Sequence, residues 1–427
     1  MKILFDGVML PTPFPAVAHY VTVEGAVITG IDTVRPYGEF DRVIAGEGRL
    51  LSPGLVNAHT HAAMTIFRGY GEDLPLDRWL GERIFPAEDR LTERAVYLGT
   101  KLSIAEMLRG GVTSFSDMYF FCDATARAVA ECGIKANLSR SIVSFDEHAD
   151  YRKDSRVLEG IALYREWNGA SDGRILVDLS LHAEYTNCAA AVRVVAEEAA
   201  RLGTRVHIHL SETEKEHLEC LGRHGVTPTG FFLENGLFNV PLVAAHCVHL
   251  TAEDRAILAE HRATAVHNPV SNLKLGSGIM PLADMLAAGV NVALGTDGAA
   301  SNNRLDLLRE MQTALLLAKG TTGQPDCVTA GAAIPLATEN GARAQGRENT
   351  GRILVGYRAD LALFDLSGVH NLPVVDPTGA LAYSAAASDV CLTMVDGKIL
   401  YENGEFSILD VEKLKAEFAD MRAHYFD

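Results

Sequence analysis

From residue 50 to about 300 the chain repeats one unit: a short apolar run rich in β-branched residues, a polar tip, then a helix-patterned segment. The runs are "LLSPGLVNAHTH", "GVTSFSDMY", "KANLSRSIV", "ILVDLSLHAEY", "RVHIHLSET", "PLVAAHCVHL", "ATAVHNPVSN" and "NVALGTDGAASNN". Strands alternating with helices imply a parallel sheet. Eight such units predict an α/β fold closed into a (β/α)8 barrel of the TIM type. An open doubly wound sheet would bring a glycine-rich phosphate turn after its first strand, and "HTHAAM" is no such turn. The stretch "TERAVYLGTKLSIAEMLRGG" reads as a helix stopped by Gly110 and Gly111.

The two ends of the chain lack this alternation. "KILFDGVML", "HYVTVEGAVITGI" and "DRVIAGEGRL" read as short strands, as do "GRILVGYRADLALFDL" and "CLTMVDGKILYENGEF". Neither end is long enough for a good core of its own. They are therefore expected to pack together. Residues 1–52 and 346–427 would form a small discontinuous β-sandwich domain around a catalytic barrel of residues 53–345. The final stretch "DVEKLKAEFADMRAHYF" has the pattern of an amphipathic helix.

Composition narrows the partners. A net charge of −17 argues against nucleic acid or an anionic membrane, both of which need a basic surface. The N-terminus lacks a signal peptide's basic start and uninterrupted apolar core. No run approaches the roughly 18 apolar residues of a membrane helix. The seven cysteines are scattered without a CxxC pair, the pattern of reduced thiols, so a cytoplasmic location is expected.

The polar tips fall at the C-terminal ends of the strands, where barrel enzymes carry their chemistry. His59 and His61 are two residues apart on the first strand and share a face. His209 ends the fifth run, His246 lies in the sixth and Asp297 ends the eighth. A lone histidine on an apolar strand is more often a satisfied core residue, and "TDGAASNN" alone could be a plain turn. All of these groups at one end of one barrel point instead to a cation such as Zn²⁺ or Fe²⁺, with a coordination position left for water. The fifth strand carries both His207 and His209, and spacing does not separate them. His209 is preferred as ligand because it is nearer the tip and stands three residues before Glu212, which could then reach over the bound water. Glu212 is the candidate general acid–base, and His246 or Asp297 could steady developing charge on oxygen. The fourth strand has no lysine to bridge a second metal, so one ion is expected.

These motifs resemble the amidohydrolase superfamily: HxH on strand 1, His on strands 5 and 6, Asp on strand 8. "HLSETEKE", "RWLGERIFPAEDRLTE", "AAHCVHL", "HNPVSNLKLGSGI" and "LGTDGAASNN" are similar to the 5'-methylthioadenosine/S-adenosylhomocysteine deaminases over essentially the whole chain. The resemblance implies hydrolytic deamination of an adenine nucleoside to its hypoxanthine form, with release of ammonia. It implies one divalent ion, zinc before Fe²⁺ or Mn²⁺, held by His59, His61, His209 and Asp297. Glu212 would shuttle the proton, and His246 would hold the attacking water. Trp79, Glu88 and His182 would meet the nucleoside. Arg140 and Arg156 would meet an amino-acid tail, with Arg152 competing for the second position. The partner implied is a small-molecule nucleoside, and self-association is left open. One rival is a deaminase or dechlorinase of guanine, cytosine or a triazine on the same scaffold. Another is an inactive metal-binding scaffold, which would not need Glu212.

Overall fold

The computed structural model describes residues 1–11 and 17–426, with side chains described as far as residue 422. The expected barrel strands form. They are β1 (Leu55–Thr60), β2 (Val112–Tyr119), β3 (Lys135–Arg140), β4 (Ile175–Val177, continued by Leu179–Ser180), β5 (Val206–Leu210), β6 (Leu242–His246), β7 (Thr264–His267) and β8 (Asn291–Leu294). Neighbours pair in parallel from β1 to β8. Every residue of β1, β2, β5, β6 and β7 is buried, as expected of strands covered on both faces. β4 is interrupted at Asp178, whose carboxylate instead accepts from Asn137 Nδ2 and Arg205 Nε, each at 3.0 Å.

The ring closes where β8 meets β1. Asp297 N donates to His59 O at 3.0 Å, and Thr296 N donates to the Asn57 Oδ1 side chain at 3.0 Å. Gly295 makes this approach possible: a Cβ there would lie 2.4 Å from Asn268 Oδ1 and 2.9 Å from His59 N.

The terminal strands form two sheets. Lys2–Val8, His19–Glu24, Val27–Asp32 and Arg42–Ala45 make one; Arg49–Pro53, Leu361–Asp365, Val390–Val395, Lys398–Glu402 and Glu405–Phe406 make the other. Ile3, Phe5, Val21 and Ile28 from the first sheet share one core with Leu51, Leu361, Leu363 and Met394 from the second. The run "LLSPGLVNAHTH" is therefore two strands. Its first half pairs antiparallel with Leu361–Asp365, and only its second half enters the barrel. Gly54 is the break, packed so closely on Thr113 that a Cβ would lie 2.3 Å from the threonine side chain. The closing helix spans Val411–Phe426, and Phe418 and Met421 pack against the barrel's core. Among the described residues no helix is long and apolar enough to cross a membrane.

A buried ion cluster fastens barrel to sheet. Lys135 Nζ, at the start of β3, lies 2.5 Å from Asp360 Oδ2 and 2.7 Å from Asp396 Oδ1, and all three side chains are nearly inaccessible. Removing one member of a buried charged set leaves its partners uncompensated. Lys135→Met is expected to cost about 3–5 kcal/mol, read as a shift of the urea unfolding midpoint; a loss below about 1 kcal/mol would show the cluster to be dispensable.

Candidate active site

At the C-terminal rim three strand ends turn through left-handed backbone: Ser211 (φ 47°) after β5, His246 (φ 73°) ending β6, and Asp297 (φ 59°) after β8. Such conformations cost roughly 1–3 kcal/mol each in non-glycine residues and persist only where the surroundings enforce them. Here they coincide with the chemistry-bearing side chains.

The imidazoles converge. The ring centroid of His59 lies 5.0 Å from those of His61 and His209 and 5.5 Å from that of His246. The Nε2 atoms of His61 and His209 are 3.3 Å apart, and Asp297 Oδ1 is 3.3 Å from His61 Nε2. Side-chain donor atoms of His59, His209 and His246 lie within 4.8 Å of one another, as do those of His59, His61 and Asp297. The other ring nitrogens are held from behind. His61 Nδ1 meets Met118 O at 2.6 Å, His209 Nδ1 meets His182 O at 2.7 Å and His246 Nδ1 meets Asn272 Oδ1 at 2.8 Å. Carbonyl oxygens only accept, so each of these Nδ1 atoms carries its proton, and the Nε2 of His61 and of His209 presents a lone pair. At His246 burial opposes the charged ring, but the Glu212 and Asp297 carboxylates outweigh it and favour the protonated form, whose Nε2 can donate.

The group fits a cation. His59 Nε2 is buried without a hydrogen-bond partner, 3.5 Å from Asp297 Oδ1. Burial pushes the His59 imidazole down to about 4, against the pull of Asp297, and drives His209 well below its usual range. Burial pushes the Asp297 carboxyl up, but the surrounding imidazoles outweigh it and keep it well below the usual value. Neutral imidazoles and an ionised carboxylate are the forms that bind metal. His207 lies behind this group, its Nε2 3.0 Å from His59 Nδ1.

Glu212 Oε2 stands 3.8 Å from His246 Nε2, and burial raises its carboxyl above the ordinary value. Sequence reasoning missed the residues that hold it. Ser277 Oγ donates to Glu212 Oε1 at 3.1 Å. The buried Glu216 carboxylate accepts from the backbone N–H groups of Ser211 (3.1 Å) and Glu212 (2.7 Å), pinning the turn between β5 and the next helix. Ser271 and Ser301 donate to Asp297 Oδ2 at 2.6 and 2.8 Å. "SETEKE" contained a signal for Glu216, an acid two residues past a Thr–Glu helix start. Ser271, Ser277 and Ser301 lie inside the quoted runs "HNPVSNLKLGSGI" and "LGTDGAASNN", but nothing in their spacing gives them a role.

A cavity of about 590 Å³ opens above the cluster, and Trp79, Glu88 and His182 line it. So do Leu80, Phe85, Phe120, Phe145 and Tyr185, which the motifs did not single out. Burial pushes the Glu88 carboxyl up to about 7, while the Tyr119 hydroxyl, donating to it at 2.7 Å, holds it back. Arg140 and Arg156 do not line this cavity. Arg140 is engaged by Glu159 at 2.7 Å and by Ser141 O, with its guanidinium 5.1 Å from the Phe120 ring centroid. Arg156 donates to Val143 O at 2.9 Å. Arg152 pairs with Glu197, both more than half exposed.

A closed parallel barrel with imidazoles, an aspartate and a buried glutamate at its C-terminal rim has the build of a metal-dependent hydrolase. The chain belongs to the amidohydrolase family, whose sequence profile matches residues 50–400. Within that family the particular likeness is to proteins named 5-methylthioadenosine/S-adenosylhomocysteine deaminase. The one from Moorella thermoacetica is 46% identical over 400 residues, covering 93% of this chain and 91% of the relative. The one from Dictyoglomus thermophilum is 45% identical over 399 residues, covering 93% and 92%. Among solved structures, a zinc-bound adenosine deaminase from Xanthomonas campestris superposes with a TM-score of 0.93 at 33% identity, covering 99% of this chain and 98% of that one.

Proposed function

We propose that the protein removes the 6-amino group of adenine nucleosides by hydrolysis, acting on 5'-methylthioadenosine, S-adenosylhomocysteine and adenosine as a class and releasing ammonia. His59, His61, His209 and Asp297 would hold one divalent ion, Zn²⁺ by its liking for imidazole and carboxylate. Such an ion supplies Lewis acidity that lets water act as a nucleophile near pH 7. The chain's own groups do the rest. Glu212 takes the proton of the attacking water and returns it to ring N1. His246, fixed by Asn272, holds the water and then the developing oxygen against C6. Trp79 meets the nucleoside, His182 reaches the purine, and Glu88 accepts from the sugar hydroxyls. The seven cysteines are all free, which supports the cytoplasmic setting read from their spacing.

The single observation that carries this reading is Glu212 beside His246 above the imidazole cluster, in a nucleoside-sized cavity that Trp79, His182 and Glu88 help to line. Ammonia release on adenosine, methylthioadenosine, S-adenosylhomocysteine, guanine and cytosine tests it. Turnover of the free bases alone would end the nucleoside reading.

Glu88 gives a pH signature. Burial pushes its carboxyl up to about 7. Sugar hydroxyls bind the ionised form better, so KM is expected to fall as pH rises through about 7 and then level off. Glu88→Gln should raise KM about 10- to 100-fold, the worth of hydrogen bonds to a charged group, and flatten that pH dependence. An unchanged pH profile of KM in the variant would remove Glu88 from the sugar site.

A further inference from the structure

We propose that Thr186 is a positioning residue that makes His182 a hydrogen-bond donor to the purine. Its hydroxyl donates to His182 Nδ1, which keeps the ring proton on Nε2, the nitrogen left for a ligand. The inference rests on the adenine-nucleoside reading above and adds to it how the site reads the base.

The turn after β4 leaves that proton one place to sit. His182 Nδ1 lies 3.0 Å from Thr186 Oγ1, and either atom could be the donor. A hydroxyl has one proton to give and two lone pairs to fill. Both lone pairs are taken: the Ala183 N–H reaches Oγ1 at 3.1 Å and the Asn187 Nδ2 amide reaches it at 3.3 Å. The Asn187 amide is oriented by its other contacts, Nδ2 donating to Ala183 O at 2.9 Å and Oδ1 accepting from Ser144 Oγ at 3.0 Å. A proton on His182 Nδ1 would therefore find no acceptor in Thr186. The hydroxyl proton could turn instead to Ala183 O at 3.2 Å, but that carbonyl already accepts from Asn187 Nδ2 and from Thr186 N. It goes to the bare Nδ1, and the partner of one imidazole nitrogen decides the state of the other.

His182 thus differs from His61 and His209, whose Nδ1 atoms carry protons so that Nε2 can face a cation. Its ring lines the cavity beside that of His209, their centroids 4.8 Å apart, where it can meet a base seated at the cluster. Apart from N1, which takes the proton from Glu212, adenine presents ring lone pairs at N3 and N7. A bare Nε2 would set lone pair against lone pair; Nε2–H sets a donor against an acceptor. The turn itself does not depend on the hydroxyl. Ser144 N donates to Thr186 O at 2.8 Å, Cys188 N donates to Ser144 O at 2.9 Å, and the buried Glu184 carboxylate accepts from Arg223 Nη2 at 2.6 Å. Thr186→Val keeps the branched shape within that frame and removes only the hydroxyl.

Nitrogen NMR of the zinc-loaded full chain, labelled at histidine, tests the protonation directly, with His182→Gln identifying the signals. His182 is expected to show a bare Nδ1 and a protonated Nε2; a protonated Nδ1 overturns the proposal. Kinetics test the consequence. Thr186→Val should lower kcat/KM on adenosine about 3- to 10-fold, the worth of one hydrogen bond, and Thr186→Ser should restore most of it. In a His182→Gln background Thr186→Val should change nothing further; losses that simply add would give Thr186 a role independent of His182 and overturn the proposal. The wild type should favour adenosine over 3-deazaadenosine or 7-deazaadenosine, and Thr186→Val should shrink that preference by about threefold or more. The analogue affected identifies the ring nitrogen that His182 meets, and two unchanged preferences overturn its role as donor. A wild type that deaminates no adenine nucleoside overturns the functional reading, while the NMR signals still decide where the His182 proton sits.

Discussion

Glu212→Gln is expected to lower kcat on adenine nucleosides by about 10²- to 10⁴-fold, the range spanned by loss of a positioned general acid–base. The substitution keeps the shape of the side chain and its bond from Ser277, and Glu216 still pins the backbone beneath it. What disappears is the capacity to carry a proton from water to the ring. Because that proton moves only on the way to the transition state, kcat should fall and KM should change little. Metal content should stay at that of the wild type, since Glu212 is not among the converging donors. A variant that loses both metal and activity would assign Glu212 a structural role. One that retains more than a tenth of wild-type kcat would falsify the proton-shuttle assignment.

Stripping the cation with a chelator is expected to abolish turnover and to lower Tm by several degrees, with both restored by one equivalent of Zn²⁺. A ligand present at about a thousand times its dissociation constant adds about 4 kcal/mol to the folded state. The apo chain should nonetheless stay folded, because the strands that carry the ligands pair along the barrel through backbone hydrogen bonds that do not involve the ion. His209→Ala should remove the metal and at least 10³-fold of activity, in line with the loss of metal-generated nucleophile. His207→Ala is the informative contrast. It takes away the group behind His59 and should weaken metal binding about 10- to 100-fold without changing the stoichiometry. Elemental analysis showing two ions per chain, or a His209→Ala protein that keeps its metal, would redraw the ligand set.

The barrel was legible because its signal is periodic and repeated, and the histidines and Asp297 because ligating residue types are scarce and fell at equivalent points of the period. The pinning groups were hidden for the opposite reason. Ser277 is one serine among many, and its partner Glu212 lies far away in the chain. Asn272 and Ser271 act only because a short helix after β7 brings them under His246 and Asp297. The division of "LLSPGLVNAHTH" between two sheets was masked by uninterrupted burial: both halves are apolar, and only the packing of Gly54 on Thr113 separates them. The arginines show the remaining limit. A motif gives the residue but not its contacts, and Arg140 is held by a carboxylate on the following helix and by the carbonyl of Ser141, a residue of the cavity lining.

His59 and Asp297 sit on opposite sides of the seam where the last barrel strand meets the first. During synthesis His59 and His61 emerge long before Asp297 exists, so an ion held by all three could not be captured in its final geometry until the ring has been completed. Metal loading is then a late event that reports a finished barrel. A nascent chain stalled ahead of β8 would present bare imidazoles to whatever cation is most abundant, with nothing yet built to choose among them.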